Sequence, residues 1–175
     1  FDILSSFDEG AYKKVRGLVI ETILATDLAH HIVYVEKLKN LAETSEVKLV
    51  NGAFEGPFHD VSKTDINLLF CIAIKFADIG HTLKKHEQHI NWTNKVTQEF
   101  WTLRDRQKAC GAPVGPLCDR DRDFNVPASQ TGFFKFICLP FYSLVAQLID
   151  PYMQPIKELN KNLVFWRGKQ NARRL

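Results

Sequence analysis

From Val15 to Leu41 apolar residues recur every three to four positions: Val15, Leu18, Val19, Ile23, Leu24, Leu28, Ile32, Val35, Leu38 and Leu41. A period near 3.6 gathers such residues on one face of a helix, whereas a strand would throw successive ones to opposite faces. The spacing predicts one long helix from Tyr12 to about Leu41, or two with a single break. No segment of useful length alternates with period two, so the expected fold class is all-α, a multi-helix bundle.

The rest of the chain divides by its punctuation. Residues 43–63 hold Asn51-Gly52 and Gly56-Pro57 without a clear period, and read as a loop or short helical turns. Ser62 with Asp65 three positions on has the form of a capping box, with Thr64 as a competing cap, before the nearly apolar run 66–79. That helix is expected to be buried nearly all round. After Gly80 and the polar stretch 84–89, a helix is predicted from about Trp92 to Lys108, stopping at Gly111 in the left-handed cap position. Residues 112–128 carry Pro113, Gly115, Pro116, Pro127 and an alternating Asp/Arg run, which resist both helix and strand. Ser129 is the expected cap of a helix that reaches Ile149 with a kink at Pro140. Asp150-Pro151 restarts a last helix ending near Trp166, which gives a domain over 1–166 and a basic tail over 167–175.

A chain of 175 residues fits one domain, and a globule of that size hides roughly 70% of its unfolded surface. Its 13 Phe and 3 Trp make the core or a pocket aromatic. The net charge of +3 comes from Arg167, Lys169, Arg173 and Arg174 at the end rather than from a basic face, so no nucleic-acid partner is expected. Cys71, Cys110, Cys118 and Cys138 stand singly, without a Cys-x-x-Cys pair, and read as reduced structural thiols. There is no signal-peptide pattern, and the longest uncharged run, 136–149, contains Pro140 and falls short of the ~20 residues of a membrane span. A soluble cytoplasmic protein without a membrane span is expected.

Four places carry candidate chemistry. Asp78 lies near the end of the most apolar run, where an ionised carboxylate needs compensation; a metal ion is one answer, an arginine, lysine or set of backbone donors the other. Thr26-Asp27 interrupts the first apolar run and is followed by His30-His31, adjacent histidines that point about 100° apart on a helix and do not readily share an ion. Each of them is either a metal ligand or a hydrogen-bonded core or surface histidine. His59-Asp60 has the look of a metal dipeptide but sits in a loop, and is read as chance. Gln130 precedes Thr131-Gly132-Phe133-Phe134; its amide offers an acceptor and two donors to a purine edge while a phenyl ring stacks on the base, and the plainer reading is a first-turn glutamine beside core phenylalanines.

Taken in order, residues 23–31 (Ile-Leu-Ala-Thr-Asp-Leu-Ala-His-His), 75–79 (Lys-Phe-Ala-Asp-Ile), 99–101 (Glu-Phe-Trp), 111–119 (Gly-Ala-Pro-Val-Gly-Pro-Leu-Cys-Asp) and 129–133 (Ser-Gln-Thr-Gly-Phe) resemble the class I cyclic nucleotide phosphodiesterases. The resemblance extends from roughly Leu4 to Ile149 and implies the C-terminal part of their helical catalytic domain. In that family two metal ions, zinc-like and magnesium-like (or manganese), activate a hydroxide that attacks the cyclic phosphate, and a histidine protonates the leaving oxygen. The resemblance makes Asp78 a ligand of the first ion and Thr26 the residue that orients water on the second. It makes Gln130 the purine-binding glutamine, Phe133 and Val96 the two jaws of a clamp on the base, and Trp92, Phe100 and Leu117 pocket walls. His81 takes a position that often carries a polar purine contact, and Leu28 stands beside the pocket where many members have methionine, a mild exchange.

The family's His-Asn-x-x-His motif and its later metal-binding His-Asp pair lie upstream of the matched segments, and no such sequence occurs in this chain. The general-acid histidine and most of the metal site are therefore expected outside it, and the chain alone is expected to be inactive. His59-Asp60 falls between the first two matched segments and cannot substitute. The resemblance implies a parent protein that hydrolyses a cyclic nucleotide; the alternative is a catalytically inactive phosphodiesterase-like helical binding or regulatory module. Surface left bare by missing helices is expected to favour self-association.

Overall fold

A computed structural model of the protein describes residues 3–58, 65–113, 125–150 and 153–172, Phe54 by its backbone alone. The first apolar run is two helices, α1 (Glu9–Leu24) and α2 (His31–Thr44), joined through the one-turn 3₁₀ helix Leu28–His30. Asp8 caps α1 by accepting the Ala11 N–H at 2.7 Å. The break falls at Thr26-Asp27, and the chain bends by 86° there. Thr26 Oγ1 donates back to the Ile23 carbonyl at 2.8 Å, while the Asp27 carboxylate accepts from Ala29 N–H at 2.8 Å and so starts the next turn. Short polar side chains thus end one helix and begin another.

The loop that follows contains the one departure from all-α structure among the described residues. Strands β1 (Lys48–Val50) and β2 (Ala53–Glu55) pair antiparallel, with Lys48 opposite Glu55 and Val50 opposite Ala53. Asn51 and Gly52 both take positive φ, 52° and 83°, the pair of left-handed residues that a two-residue hairpin turn needs. The sequence carried that signal in Asn51-Gly52, but strands of three residues are too short to display an alternating period. Gly56 follows, and a Cβ there would collide with the Leu148 carbonyl and touch Val47.

Helix α3 (Ile66–Asp78) is capped by Asp65, which accepts from Leu68 N–H at 3.1 Å. The expected capping box is corrected in this respect, since Asp65 is the cap and Ser62 and Thr64 lie outside the described residues. The helix is also not buried all round. Cys71, Ile72, Lys75 and the following Ile79 face the interior, whereas Ile66, Phe70 and Ile74 are exposed. Apolar sequence neighbours do not guarantee burial, because a 13-residue helix presents both of its faces and only one is covered here.

The 3₁₀ turn Gly80–Leu83 leads into α4 (His86–Ala109), which begins six residues earlier than Trp92. Its end matches expectation: Gly111 has φ 67°, its N–H reaches the Lys108 carbonyl, and Ala112 N–H reaches that of Gln107, a Schellman closure. Helix α5 (Val126–Phe133) is capped by Asn125, not Ser129, which lies inside the helix. A π-helical turn, Phe134–Cys138, joins it to α6 (Leu139–Ile149). Pro140 explains the turn, since it has no N–H to donate and its ring would crowd the carbonyl four residues back; widening the preceding turn makes room.

Val126–Ile149 is therefore one 24-residue helical stretch, with mean hydropathy 1.6 over its apolar window. By length and composition it is long enough to cross a membrane, although the uncharged run within it, 136–149, stays shorter than a span. Lys135 bounds the uncharged run but does not interrupt the helix. A buried core helix meets the same criterion. Helix α7 (Gln154–Ala172) runs past the predicted end at Trp166 and buries Leu159, Asn162, Leu163 and Trp166 at helical spacing.

The chain forms two units, one of Phe1–Ile79 with Leu144–Pro151 and one of Gly80–Ser143 with Tyr152–Leu175. The first buries Ala25, Leu38, Cys71, Ile72, Val145 and Leu148, and the second Phe134, Cys138, Phe141, Tyr142, Leu159 and Trp166. Cys71, Cys110 and Cys138 are free thiols; Cys71 and Cys138 are buried, Cys110 is exposed, and Cys118 lies outside the described residues. Replacing Gly56 with alanine is expected to destabilise the protein by about 1–3 kcal/mol, because a methyl group has no space beside the Leu148 carbonyl. Urea unfolding checks this, and an unchanged midpoint would show that the loop yields freely.

Candidate functional site

In the second unit a buried polar chain fixes the turn that carries His81. Trp166 Nε1, which can only donate, gives its hydrogen to His89 Nε2 at 2.7 Å. His89 Nε2 is thus an acceptor and its Nδ1 carries the proton. That Nδ1 faces His81 Nδ1 at 3.2 Å, so His81 accepts there and keeps its own hydrogen on Nε2. Burial, with the nearby His81 charge next, pulls the His89 imidazole down to about 4, and burial lowers His81 as well. Both rings are neutral at physiological pH. Asn162 holds the same turn from α7, donating to the carbonyls of Thr82 at 3.1 Å and Lys84 at 2.9 Å and accepting from His86 Nδ1 at 3.3 Å.

The His81 ring lies parallel to that of Phe133, with centroids 6.4 Å apart, and parallel to His89 at 5.2 Å. Two of the expected base-contacting residues are therefore together. Gln130 sits one turn before Phe133 on α5. Its Oε1 is buried and has no hydrogen-bond partner among the described residues, an acceptor waiting for a donor. Trp92, Val96 and Phe100 share one side of α4 by their four-residue spacing, beside the buried stripe of His89, Thr93 and Thr97. Trp92 and Phe100 are exposed there, and Phe100 lines a surface hollow with Gln98, Leu103 and Arg106. Leu117 lies outside the described residues.

In the first unit Thr26 sits at the bend between α1 and α2, and Leu28 follows it, 47% exposed. Asp78 is the last residue of α3, and it is exposed. The expectation of a buried carboxylate is overturned, because the end of the helix lifts Asp78 out of the covered stripe. The buried charge of this helix is instead Lys75, one turn earlier and 0% exposed. Its Nζ donates to the Ala25 carbonyl at 3.1 Å and lies 5.8 Å from the centre of the Tyr34 ring. Burial lowers the Lys75 pKa, and the charges of Asp78 and Asp27 oppose that shift. His31 is buried at the start of α2, and His30 is exposed. His59-Asp60 lies outside the described residues.

The fit to divalent ions is partial. Asp78 is open to solvent. No group of three or more His, Cys, Asp or Glu among the described residues would hold an ion by itself. Lys75, His89, Asn162 and Trp166 escaped sequence reasoning. The one signal for Lys75 was a cation inside an apolar helix, and for Asn162 and Trp166 a four-residue spacing on the last helix.

The described helices thus bring a histidine parallel to a phenylalanine, with the buried Gln130 Oε1 one turn away on the same helix as the phenylalanine. The sequence profile of the 3'5'-cyclic nucleotide phosphodiesterase family matches residues 1–159, and the chain belongs to that family. It is 29% identical over 168 residues to a dual 3',5'-cyclic-AMP and -GMP phosphodiesterase beta of Plasmodium falciparum, covering 94% of this chain and 14% of that protein. It is 30% identical to a probable 3',5'-cyclic phosphodiesterase of Caenorhabditis elegans, covering 90% of this chain and 21% of that one. A dual specificity calcium/calmodulin-dependent phosphodiesterase of Drosophila melanogaster is also 30% identical, over 93% of this chain and 18% of its own. The phosphodiesterase domain of a Salpingoeca rosetta rhodopsin phosphodiesterase superposes with a TM-score of 0.77 at 19% identity, covering 99% of this chain and 50% of that one. The chain thus spans a quarter or less of these curated relatives and half of the solved domain.

A histidine held neutral by the fold binds protons more weakly than the same residue unfolded. His89 therefore adds stability that is full above the unfolded pKa of 6.5 and is lost as pH falls towards about 4. The loss is expected to be on the order of 3 kcal/mol, seen as a falling urea midpoint. Nitrogen-15 spectra at pH 5.5 should still show His89 neutral and protonated on Nδ1. A charged ring at that pH would contradict the hydrogen-bond assignment.

Proposed function

We propose that the native protein hydrolyses a 3',5'-cyclic nucleotide, cAMP and/or cGMP, to the 5'-monophosphate, with this chain contributing the base-binding part and one metal-binding carboxylate. The family match over residues 1–159 supports the reaction class. The observation that carries the substrate reading is the unpartnered Gln130 Oε1 beside a parallel His81–Phe133 pair. Guanine offers a donor beside an acceptor and adenine offers the reverse, so an amide that the described residues do not pin can turn to serve either. His81, with its hydrogen on Nε2, offers a donor to a ring nitrogen common to both purines.

Asp78 and, through water, Thr26 are the residues of this chain that would hold divalent ions, zinc with magnesium or manganese. When bound, such ions polarise phosphoryl oxygens and activate water. The chain's own residues orient the base and supply one carboxylate. The absence of a three-ligand group among the described residues favours a second reading, a helical module that binds nucleotide without hydrolysing it.

Assays of the native protein with cAMP and cGMP, zinc and magnesium separate the two. Turnover by the native protein, with none by the 175-residue chain alone, is the expected result; binding without turnover in the native protein would favour the module. Gln130→Ala is expected to raise KM for both nucleotides about tenfold, the cost of one or two lost hydrogen bonds. Unchanged kinetics would remove Gln130 from the site.

A further inference from the structure

Helix α7 presents two polar side chains on its buried face, one turn apart, and both act on the turn that carries His81. Asn162 is 0% exposed and stands with Leu159 and Leu163 in the covered stripe, and Trp166 follows four residues on. The amide of Asn162 donates to the carbonyls of Thr82 at 3.1 Å and Lys84 at 2.9 Å, and its oxygen meets His86 Nδ1 at 3.3 Å. Thr82, also 0% exposed, is the residue after His81. Asn162 and Trp166 lie past residue 159, where the family match ends, so that match gives neither of them a role.

An amide is a poor filler for such a place. Burying one costs free energy unless its hydrogen bonds are made, and a leucine like its neighbours would avoid that cost. What the amide supplies is particular to the turn. The short 3₁₀ turn Gly80–Leu83 leaves carbonyls without helical partners, and those of Thr82 and Lys84 find a donor only on a helix remote in sequence. Donor and acceptor ends of the amide are both engaged, which gives the side chain one orientation. With the backbone held at residues 82 and 84, the direction in which His81 leaves it is set. The His81 ring lies parallel to Phe133, with centroids 6.4 Å apart, and His89, bonded to Trp166, meets its Nδ1 at 3.2 Å. Asn162 thus holds the backbone of the turn, and Trp166, through His89, holds the ring.

We infer that Asn162 is a positioning residue for base binding, which holds the Gly80–Leu83 turn so that His81 stays against Phe133 and thereby sets the affinity of this face for a purine. The inference rests on the reading of His81 and Phe133 as base contacts given above. Helix α7 then belongs to the site although it offers no side chain to the ligand.

The test uses the native protein and Asn162→Asp, which keeps the shape and the contact with His86 but sets a carboxylate oxygen against two carbonyls in place of the amide donor. Nuclear magnetic resonance without nucleotide follows the ring protons of His81, whose shifts report the neighbouring Phe133 and His89 rings, and calorimetry gives the dissociation constants of 5'-AMP and 5'-GMP. N162D is expected to fold, to move the His81 ring signals, and to bind both nucleotides about tenfold more weakly, since a misplacement of about 1 Å is enough for a loss of that order. Asn162→Ser, whose hydroxyl restores one of the two donors, is expected to fall between N162D and the wild type. A folded N162D with the wild-type dissociation constants overturns the inference, as does one that binds more weakly while the His81 ring signals stay in place. Where circular dichroism shows N162D unfolded, N162S decides by the same two readings; failure of both variants to fold would assign Asn162 to stability alone and overturn the inference. Wild-type protein whose His81 and Phe133 signals ignore both nucleotides would instead overturn the base reading, and the inference with it.

Discussion

The hydrogen bond from Trp166 to His89 is the constraint on which the second unit's arrangement depends. An indole N–H buried without an acceptor is costly, and so is an imidazole buried with its charge. Joining them satisfies both at once. The bond dictates a neutral His89, the neutral His89 dictates where the hydrogen of His81 lies, and Asn162 anchors the intervening turn by its carbonyls. A helix remote in sequence thus determines which atom His81 can present to a ligand.

The first unit rests on a different kind of interaction. There the buried group is Lys75, held by a backbone carbonyl and an aromatic face; burial lowers its pKa, and the charges of Asp78 and Asp27 oppose that shift. Asp78 gains from this arrangement because Lys75 balances part of its charge without occupying its oxygens.

The helical class was legible because a 3.6-residue period persists from Val15 to Leu41, and the Gly111 closure because glycine alone tolerates that backbone at no cost. The break at Thr26-Asp27 was legible as a polar interruption. The hairpin was not, since the Asn51-Gly52 signal came with strands too short to alternate. Asp78 misled for a general reason: periodicity tells which residues share a face, and it does not tell where along the helix the cover ends. Of the candidate site, His81 and Phe133 stack in parallel, while His81 is held through His89 of α4, which in turn accepts from Trp166 of α7. Long-range hydrogen bonds of that kind leave no local trace in a sequence.

The proposed function has a purine bound against Phe133 with Gln130 and the Nε2 hydrogen of His81 at its edge. Nuclear magnetic resonance of the native protein titrated with 5'-AMP and with 5'-GMP tests it most directly, with the Gln130 side-chain amide and the His81 imidazole assigned. Both nucleotides are expected to shift both signals while His89 keeps its hydrogen on Nδ1. Shifts confined to other residues, or a His81 that carries its hydrogen on Nδ1 throughout, would contradict it.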